Sequence, residues 1–281
     1  MVIRLVLLIA VIALTWASEC LAESASCLRC HDVCHGALTA QQHHEVSLQT
    51  MGCGDCHRGN PTTQRRELAH YRLIDAGHSW YRFPESDAVK RGQHLVDLLA
   101  CRRCHVLAGK GNSLAAELDR LYHQSLPVEV VASIRVPAFF MPDFSLQQSD
   151  VDAVVNVIFA AGFMPQVSGL QPPQVVHFEN DVDEENLFEK HCGRCHRVLT
   201  AQQGGLGTGD IAPNLSGLLS QFYPKTFKDN QPWDVQGLKK WIKNPRAIRP
   251  LTRMLPVVLR EQEAIKLIDE TWPLKVKEPL Q

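Results

Sequence analysis

Four copies of one pentad occur in this chain of 281 residues: Cys27-Leu-Arg-Cys30-His31, Cys53-Gly-Asp-Cys56-His57, Cys101-Arg-Arg-Cys104-His105 and Cys192-Gly-Arg-Cys195-His196. Nothing else in the sequence constrains the fold as strongly. With 10 Cys and 13 His in the chain, about 0.02 such pentads would arise by chance, so composition does not explain four. Two cysteines three residues apart share one side of a helical turn. A histidine follows each pair at once, so every pentad presents two sulfurs and an imidazole together.

Several chemistries use paired cysteines. Zinc takes two Cys-x-x-Cys pairs, but it does not require a His after every pair. Disulfides are common in exported chains, and they too leave the histidines unexplained. A redox dithiol is normally a single pair in a thioredoxin-like context. Covalent haem attachment uses all three positions: the sulfurs form thioethers with the two vinyl groups of one porphyrin, and the imidazole turns onto the iron. Four covalently bound haem c groups are therefore expected. Cys27, Cys30, Cys53, Cys56, Cys101, Cys104, Cys192 and Cys195 are the attachment residues, and His31, His57, His105 and His196 the proximal ligands.

The pentads start 26, 48 and 91 residues apart in succession. That spacing divides the chain into a compact two-pentad segment, residues 23–84, and two longer one-pentad units, 85–169 and 183–281. Between the latter, 170–182 forms a linker, with Ser168 to Gln174 carrying its turn residues. In the first long unit, Ser86 caps a helix that carries Val89, Leu95, Leu98 and Leu99 into Cys101. Pro127 opens a short helix over 128–134. Val136-Pro-Ala-Phe-Phe-Met141-Pro142 follows. Ser149 and Asp152 then form a capping box ahead of Val151 to Phe159, and Gly162 ends that helix. The second unit repeats the order. Asn186, Leu187 and Phe188 lead into Cys192, and a glycine-rich loop over Gly204 to Gly209 precedes Ala212-Pro213-Asn214-Leu215. Asp234 caps a helix through Leu238 and Trp241 that stops before Pro245. Arg253-Met254-Leu255-Pro256 follows, and Glu261 to Trp272 forms a last amphipathic helix with Ala264, Ile265 and Ile268 on one face. The predicted class is mainly α.

Both units resemble class I c-type cytochromes, small helical folds with one haem, a proximal His and a distal Met. The second carries the Cys192–His196 pentad, Pro213-Asn214-Leu215, Leu238-Lys-Lys-Trp241-Ile-Lys-Asn-Pro245 and Met254. The first matches in Cys101–His105 and Met141-Pro142 but lacks a Pro-Asn-Leu segment. The resemblance implies Met141 and Met254 as distal ligands, with Met164, also followed by Pro, as the alternative to Met141. A thioether ligand raises the reduction potential relative to a second His.

The segment Met51-Gly-Cys53-Gly-Asp-Cys56-His57-Arg-Gly-Asn-Pro61, followed by Ala69-His70, resembles the dihaem modules of multihaem cytochromes. In those, histidines before and after a motif complete bis-His haems. The resemblance implies His44 and His70 as distal ligands, with His43 and His78 as alternates; the other reading of His78 is a surface residue near Trp80. His94, His123, His177 and His191 read as surface or packing residues. Cys34 stands outside the four pairs and reads as a free or paired thiol.

The N-terminus reads as a targeting segment, 1–22. Arg4 precedes the short apolar run Leu5 to Leu14, and cleavage fits after Ala22 or, second, Ala17. An uncleaved anchor is the alternative, and Glu19 ahead of Cys20 disfavours lipid attachment. Export to the periplasm, or a membrane-associated place outside the cytoplasm, follows. A formal net charge of −1 argues against nucleic acid as a partner, because phosphate binding needs a basic excess. No small-molecule substrate constellation is evident. The functional expectation is an electron carrier, or an electron-transfer subunit, working between redox protein partners. By analogy with exported cytochromes of this make-up, the donor would be a membrane quinol-oxidising complex and the acceptor a soluble carrier. The alternative is a multihaem redox enzyme with one open or displaceable haem site, which needs acid–base groups above a vacant iron position. The first prediction is direct: intact mass of the exported chain exceeds the polypeptide by four haem masses that acid-acetone does not remove. Any other count overturns the four-pentad reading.

Overall fold

The computed structural model describes residues 27, 30–31, 51–164 and 186–273. The targeting segment, Cys34, His43, His44, His177 and the linker stretch Ser168 to Gln174 lie outside the described residues. Helices take up about 48% of the described residues and strand very little, which makes the fold mainly α. The chain divides into two compact units, Met1–Pro84 and Glu85–Gln281.

In the first unit, helix α1 (Cys53–His57) is the second pentad itself. The Asp55 carboxylate accepts from the Gly52 N–H at 2.7 Å, closing the first turn where helices leave donors unpaired. Helix α2 (Arg66–Ala69) follows. A 3₁₀ stretch, Ala76–Arg82, then packs on α1. Asp75 caps this stretch, accepting from Gly77 N–H at 2.9 Å. Ile74 and Tyr81 are the buried apolar residues here, and Tyr81 donates its hydroxyl to the Asp55 carbonyl at 3.1 Å.

The second unit holds the other two pentads. Helix α3 (Asp87–Leu98) is capped by Ser86, whose hydroxyl accepts from Val89 N–H. A 3₁₀ turn, Cys101–Arg103, follows it. After a 3₁₀ turn at Leu118–Arg120 come α4 (Leu121–Gln124), α5 (Pro127–Arg135) with proline at its first position, and α6 (Gln148–Phe163). Helix α3 lies across α6. Gly92 makes that crossing close, since a Cβ there would fall 2.1 Å from the Ala153 carbonyl oxygen. Val151, Val154, Val155, Ile158 and Phe159 of α6 are buried, each stabilising the fold by about 1.5–3 kcal/mol relative to exposure.

Helix α7 (Leu187–His191) is capped by Asn186, which accepts from Phe188 N–H at 2.8 Å and Glu189 N–H at 3.1 Å. Strands β1 (Val198–Thr200) and β2 (Gly204–Leu206) pair antiparallel, Leu199 opposite Gly205. Helix α8 (Val235–Lys243) is capped by Asp234, α9 (Pro245–Ile248) by Asn244, and α10 (Glu261–Thr271) closes the fold. Helix α7 packs on α10, with Phe188 edge-on to Trp272 at 6.0 Å. These residues join Val198, Leu206, Leu218, Leu238, Ile242, Leu267 and Ile268 in one core. In both segments the helix that leads into the pentad therefore packs against the last helix described.

The local details differ from the sequence pattern in five places. Helix α6 begins at Gln148 with no side-chain cap, so Ser149 and Asp152 are not its capping box. It runs through Gly162 to Phe163, and the missing Cβ of Gly162 makes room for the Asp119 carbonyl. Leu98 is exposed, and Val96 takes the buried position in α3. Ile265 is exposed, while Leu267, Ile268 and Thr271 form the buried side of α10. The glycine-rich loop contributes β2, because the Thr200 hydroxyl donates to the Gly204 carbonyl at 2.9 Å and so tightens a hairpin. Replacing Phe188 with Ala should cost about 3–5 kcal/mol, read as a lowered denaturant midpoint. A loss below about 1 kcal/mol would mean that Phe188 does not anchor this core.

Candidate metal centres

Three of the pentad histidines share one arrangement. His57 Nδ1 lies 2.8 Å from the Ile74 carbonyl oxygen, His105 Nδ1 2.7 Å from that of Ala116, and His196 Nδ1 2.7 Å from that of Pro213. A carbonyl can only accept, so Nδ1 carries the proton in each ring. Nε2 is left as the lone-pair nitrogen, the form in which imidazole binds a metal.

The chain fixes each ring by a different route. Ile74 donates its own N–H to the His57 carbonyl at 2.7 Å, so ring and backbone of His57 are held by one residue. Around His105, Leu118 N–H donates to the Val106 carbonyl at 2.9 Å. The buried Asp119 carboxylate accepts from Ala108 N–H at 2.6 Å and Gly109 N–H at 2.9 Å, holding a turn whose residues both have positive φ. Around His196, Leu215 N–H donates to the Arg197 carbonyl at 2.8 Å. Trp272 Nε1 donates to the Leu215 carbonyl at 2.8 Å, tying the Pro213 segment to the core. Burial pushes the His105 and His196 pKa values down, against the opposing pull of their carbonyl partners.

The sulfurs are in keeping. Cys30, Cys53, Cys56, Cys101, Cys104, Cys192 and Cys195 are thiols rather than half-cystines. Burial pushes the Cys101 thiol up to about 11 and the Cys192 thiol up to about 12. Reactive dithiols need the opposite shift. Among the described residues no group of three or more His, Cys, Asp or Glu converges as a metal cage. Haem does not call for one, since its porphyrin supplies the equatorial ligands. One imidazole with an unprotonated Nε2 next to two thiols is a donor set that fits a thioether-bound haem.

The distal candidates are placed unevenly. Met254 is half-buried, and its sulfur accepts from Trp241 Nε1 at 2.9 Å, which orients the thioether. Trp241 lies between Trp233, edge-on at 5.4 Å, and the Arg249 guanidinium at 5.5 Å. Met141 is half-buried in a turn, its N–H donating to the Ala138 carbonyl at 2.8 Å. Met164 is 60% exposed at the end of α6. In the first unit, the exposed rings of His31 and His70 lie with centres 6.0 Å apart and planes tilted by 40°. Two imidazoles bound at about 2 Å on opposite sides of one metal put their centres about 6 Å apart. His78 is not a surface residue. It is 7% exposed, and its Nδ1 bonds the Asp75 carboxylate at 2.8 Å. His94 and His123 are exposed. Local sequence gave no signal for Asp119, whose partners lie 10 and 11 residues away; Trp241 stood out in the sequence, but its bond to Met254, 13 residues away, did not.

Comparison with family models, curated proteins and solved structures found no match. The centres are therefore judged on their own residues. The His31–His70 spacing makes a prediction: in the haem-loaded chain, His70→Ala turns one iron centre from low spin to high spin by EPR. An unchanged spectrum excludes the pair as axial ligands.

Proposed function

We propose that this chain is an exported tetrahaem c-type cytochrome that passes electrons between protein partners. The observation that supports it most is the shared fixing of His57, His105 and His196 by backbone carbonyls, which puts the proton of each ring on Nδ1 and leaves Nε2 unprotonated, next in sequence to two cysteines. When bound, haem supplies a one-electron centre whose potential is set by its axial ligands and surroundings.

In this reading Cys27 and Cys30, Cys53 and Cys56, Cys101 and Cys104, and Cys192 and Cys195 hold the four groups. His31, His57, His105 and His196 would supply the first axial ligand of each. The second ligands would be Met254, with its sulfur oriented by Trp241, Met141, His70, whose ring centre lies 6.0 Å from that of His31, and His44. Residues 23–84 form the dihaem module, and 85–169 and 183–281 the two class I-like modules. The carbonyl bonds keep the His57, His105 and His196 imidazoles in one tautomer and one orientation, so little movement would accompany a change of iron charge at those centres. Low reorganisation of this kind suits a carrier.

Bis-His ligation in the first module and His–Met ligation in the others order the potentials, since sulfur ligation raises them. Electrons then run from the N-terminal module toward the class I-like modules. A membrane quinol-oxidising complex is the donor by analogy, with a soluble or outer acceptor. A spectroelectrochemical titration of the whole chain tests the reading. A low-potential pair and a high-potential pair are expected, all low-spin and unmoved by cyanide, nitrite or peroxide. A haem that binds any of these ligands would replace the carrier with a redox enzyme.

A further inference from the structure

We infer that Arg197 and Asn214, residues of the fourth pentad's segment, are positioning residues for the Met141 loop of the third. This rests on the reading of Met141 as an axial ligand.

The loop Phe139-Phe140-Met141-Pro142 has no regular structure, and proline at 142 supplies no donor. Within its own segment, the turn bond from Met141 N–H to Ala138 holds it. The two carbonyls just before Met141 are both taken from across the unit. Arg197 Nη1 donates to the Phe139 carbonyl at 2.9 Å, and its guanidinium lies over the Phe139 ring at 3.8 Å. Asn214 Nδ2 donates to the Phe140 carbonyl at 2.8 Å. The Phe140 ring is buried with Cys104 of the third pentad and Leu199 of β1. It lies so close to Gly205 that a Cβ there would sit 2.2 Å from Cε2.

Both donors adjoin the fourth centre. Arg197 follows His196, and Asn214 follows Pro213, whose carbonyl holds the His196 ring. The contact also runs the other way. Arg103, inside the third pentad, donates to the Asn214 carbonyl at 3.1 Å, and Tyr223 donates to the same oxygen at 3.2 Å. Asn112 Nδ2 donates both to the Arg103 carbonyl at 2.8 Å and to the Ser220 hydroxyl at 2.9 Å. Asn214 is thus shared: its backbone anchors Arg103, its amide anchors the Met141 loop, and its Oδ1 accepts from Ser216 N–H at 2.9 Å. A ligand loop held by two hydrogen bonds and a cation–π contact from the next segment keeps its methionine in place only while that segment is in place. Bonds to a charged donor are the stronger kind, and a guanidinium over an aromatic face adds to them.

The test uses the full haem-loaded chain. Met141→Ala and Met254→Ala should each remove about half of the near-infrared band of Met-ligated ferric haem. The double variant Arg197→Met, Asn214→Asp removes the donors. Asp keeps the oxygen that accepts from Ser216, and Met keeps the arginine's apolar stem. This variant should carry four haems by mass, lose most of the Met141 half of the band, keep the Met254 half, and lower the midpoint potential of one high-potential haem. Arg197→Lys, which keeps the charge, should restore part of the band. If Met141→Ala leaves the band intact, the assignment of Met141 as ligand fails first. If Met141→Ala halves the band but the double variant keeps it whole at unchanged potential, the positioning role is overturned. Should the double variant fail to load four haems, Asn214→Asp alone, a change of one donor at constant shape, is read by the same band. Arg197→Met alone is read likewise, and a full band in both single variants overturns the inference equally.

Discussion

The bond from a histidine Nδ1 to a backbone carbonyl is the interaction around which the rest of the described structure is arranged. It appears at His57, His105 and His196 with partners 11 or 17 residues further on. Each bond needs a second chain segment brought back over the pentad and held there. In the first unit that segment is the turn into Ala76–Arg82, fixed by Ile74 and Tyr81. At His105 it is the loop stapled by Asp119. At His196 it is the Pro213 segment, tied down by Trp272. The cores serve these returns. Helices α3 and α6, and α7 and α10, cross behind the pentads and set the frame on which the loops close.

Tautomer control has a chemical consequence. An imidazole with Nδ1 committed to a carbonyl presents its remaining nitrogen to a metal, and the carbonyl raises its basicity. Partial burial of His105 and His196 favours the uncharged ring as well, so protonation competes less with ligation. In the proposed function this makes the proximal side of these three centres rigid and leaves the distal side to set the potential. The distal side is also where the centres differ. Met254 is oriented by an indole within its own segment, whereas the Met141 loop takes its bonds from the neighbouring one.

That contrast bears on how the second unit works as a whole. The segments carrying the third and fourth pentads lie in one compact unit, joined by Arg103, Arg197, Asn112 and Asn214. Three of these four sit within or next to a functional segment, so the contact surface and the two sites share residues. In the proposed function, electron transfer between the two centres would benefit from a fixed separation. A surface built from the pentads themselves fixes it more directly than a linker would.

In the proposed function the pentads by themselves determine what kind of chemistry the chain carries, because thioether attachment needs two sulfurs and an imidazole within five residues, all local in sequence. Helix positions were equally legible where the signal is local: Ser86, Asn186 and Asp234 cap the helices that follow them, and Pro127 opens α5. Tertiary structure decided whatever depends on distant partners. The carbonyls that hold the histidines, the burial of His78 on Asp75, the buried side of α10 and the hairpin at Gly204 could not be read from spacing. Helical periodicity names a face but not what covers it. The placing of Arg197 against Phe139, 58 residues away, is the extreme case. A side chain that follows a haem-type histidine carries no sequence mark of the loop it will hold, because only the packing of β1 and β2 against Phe140 brings the two together.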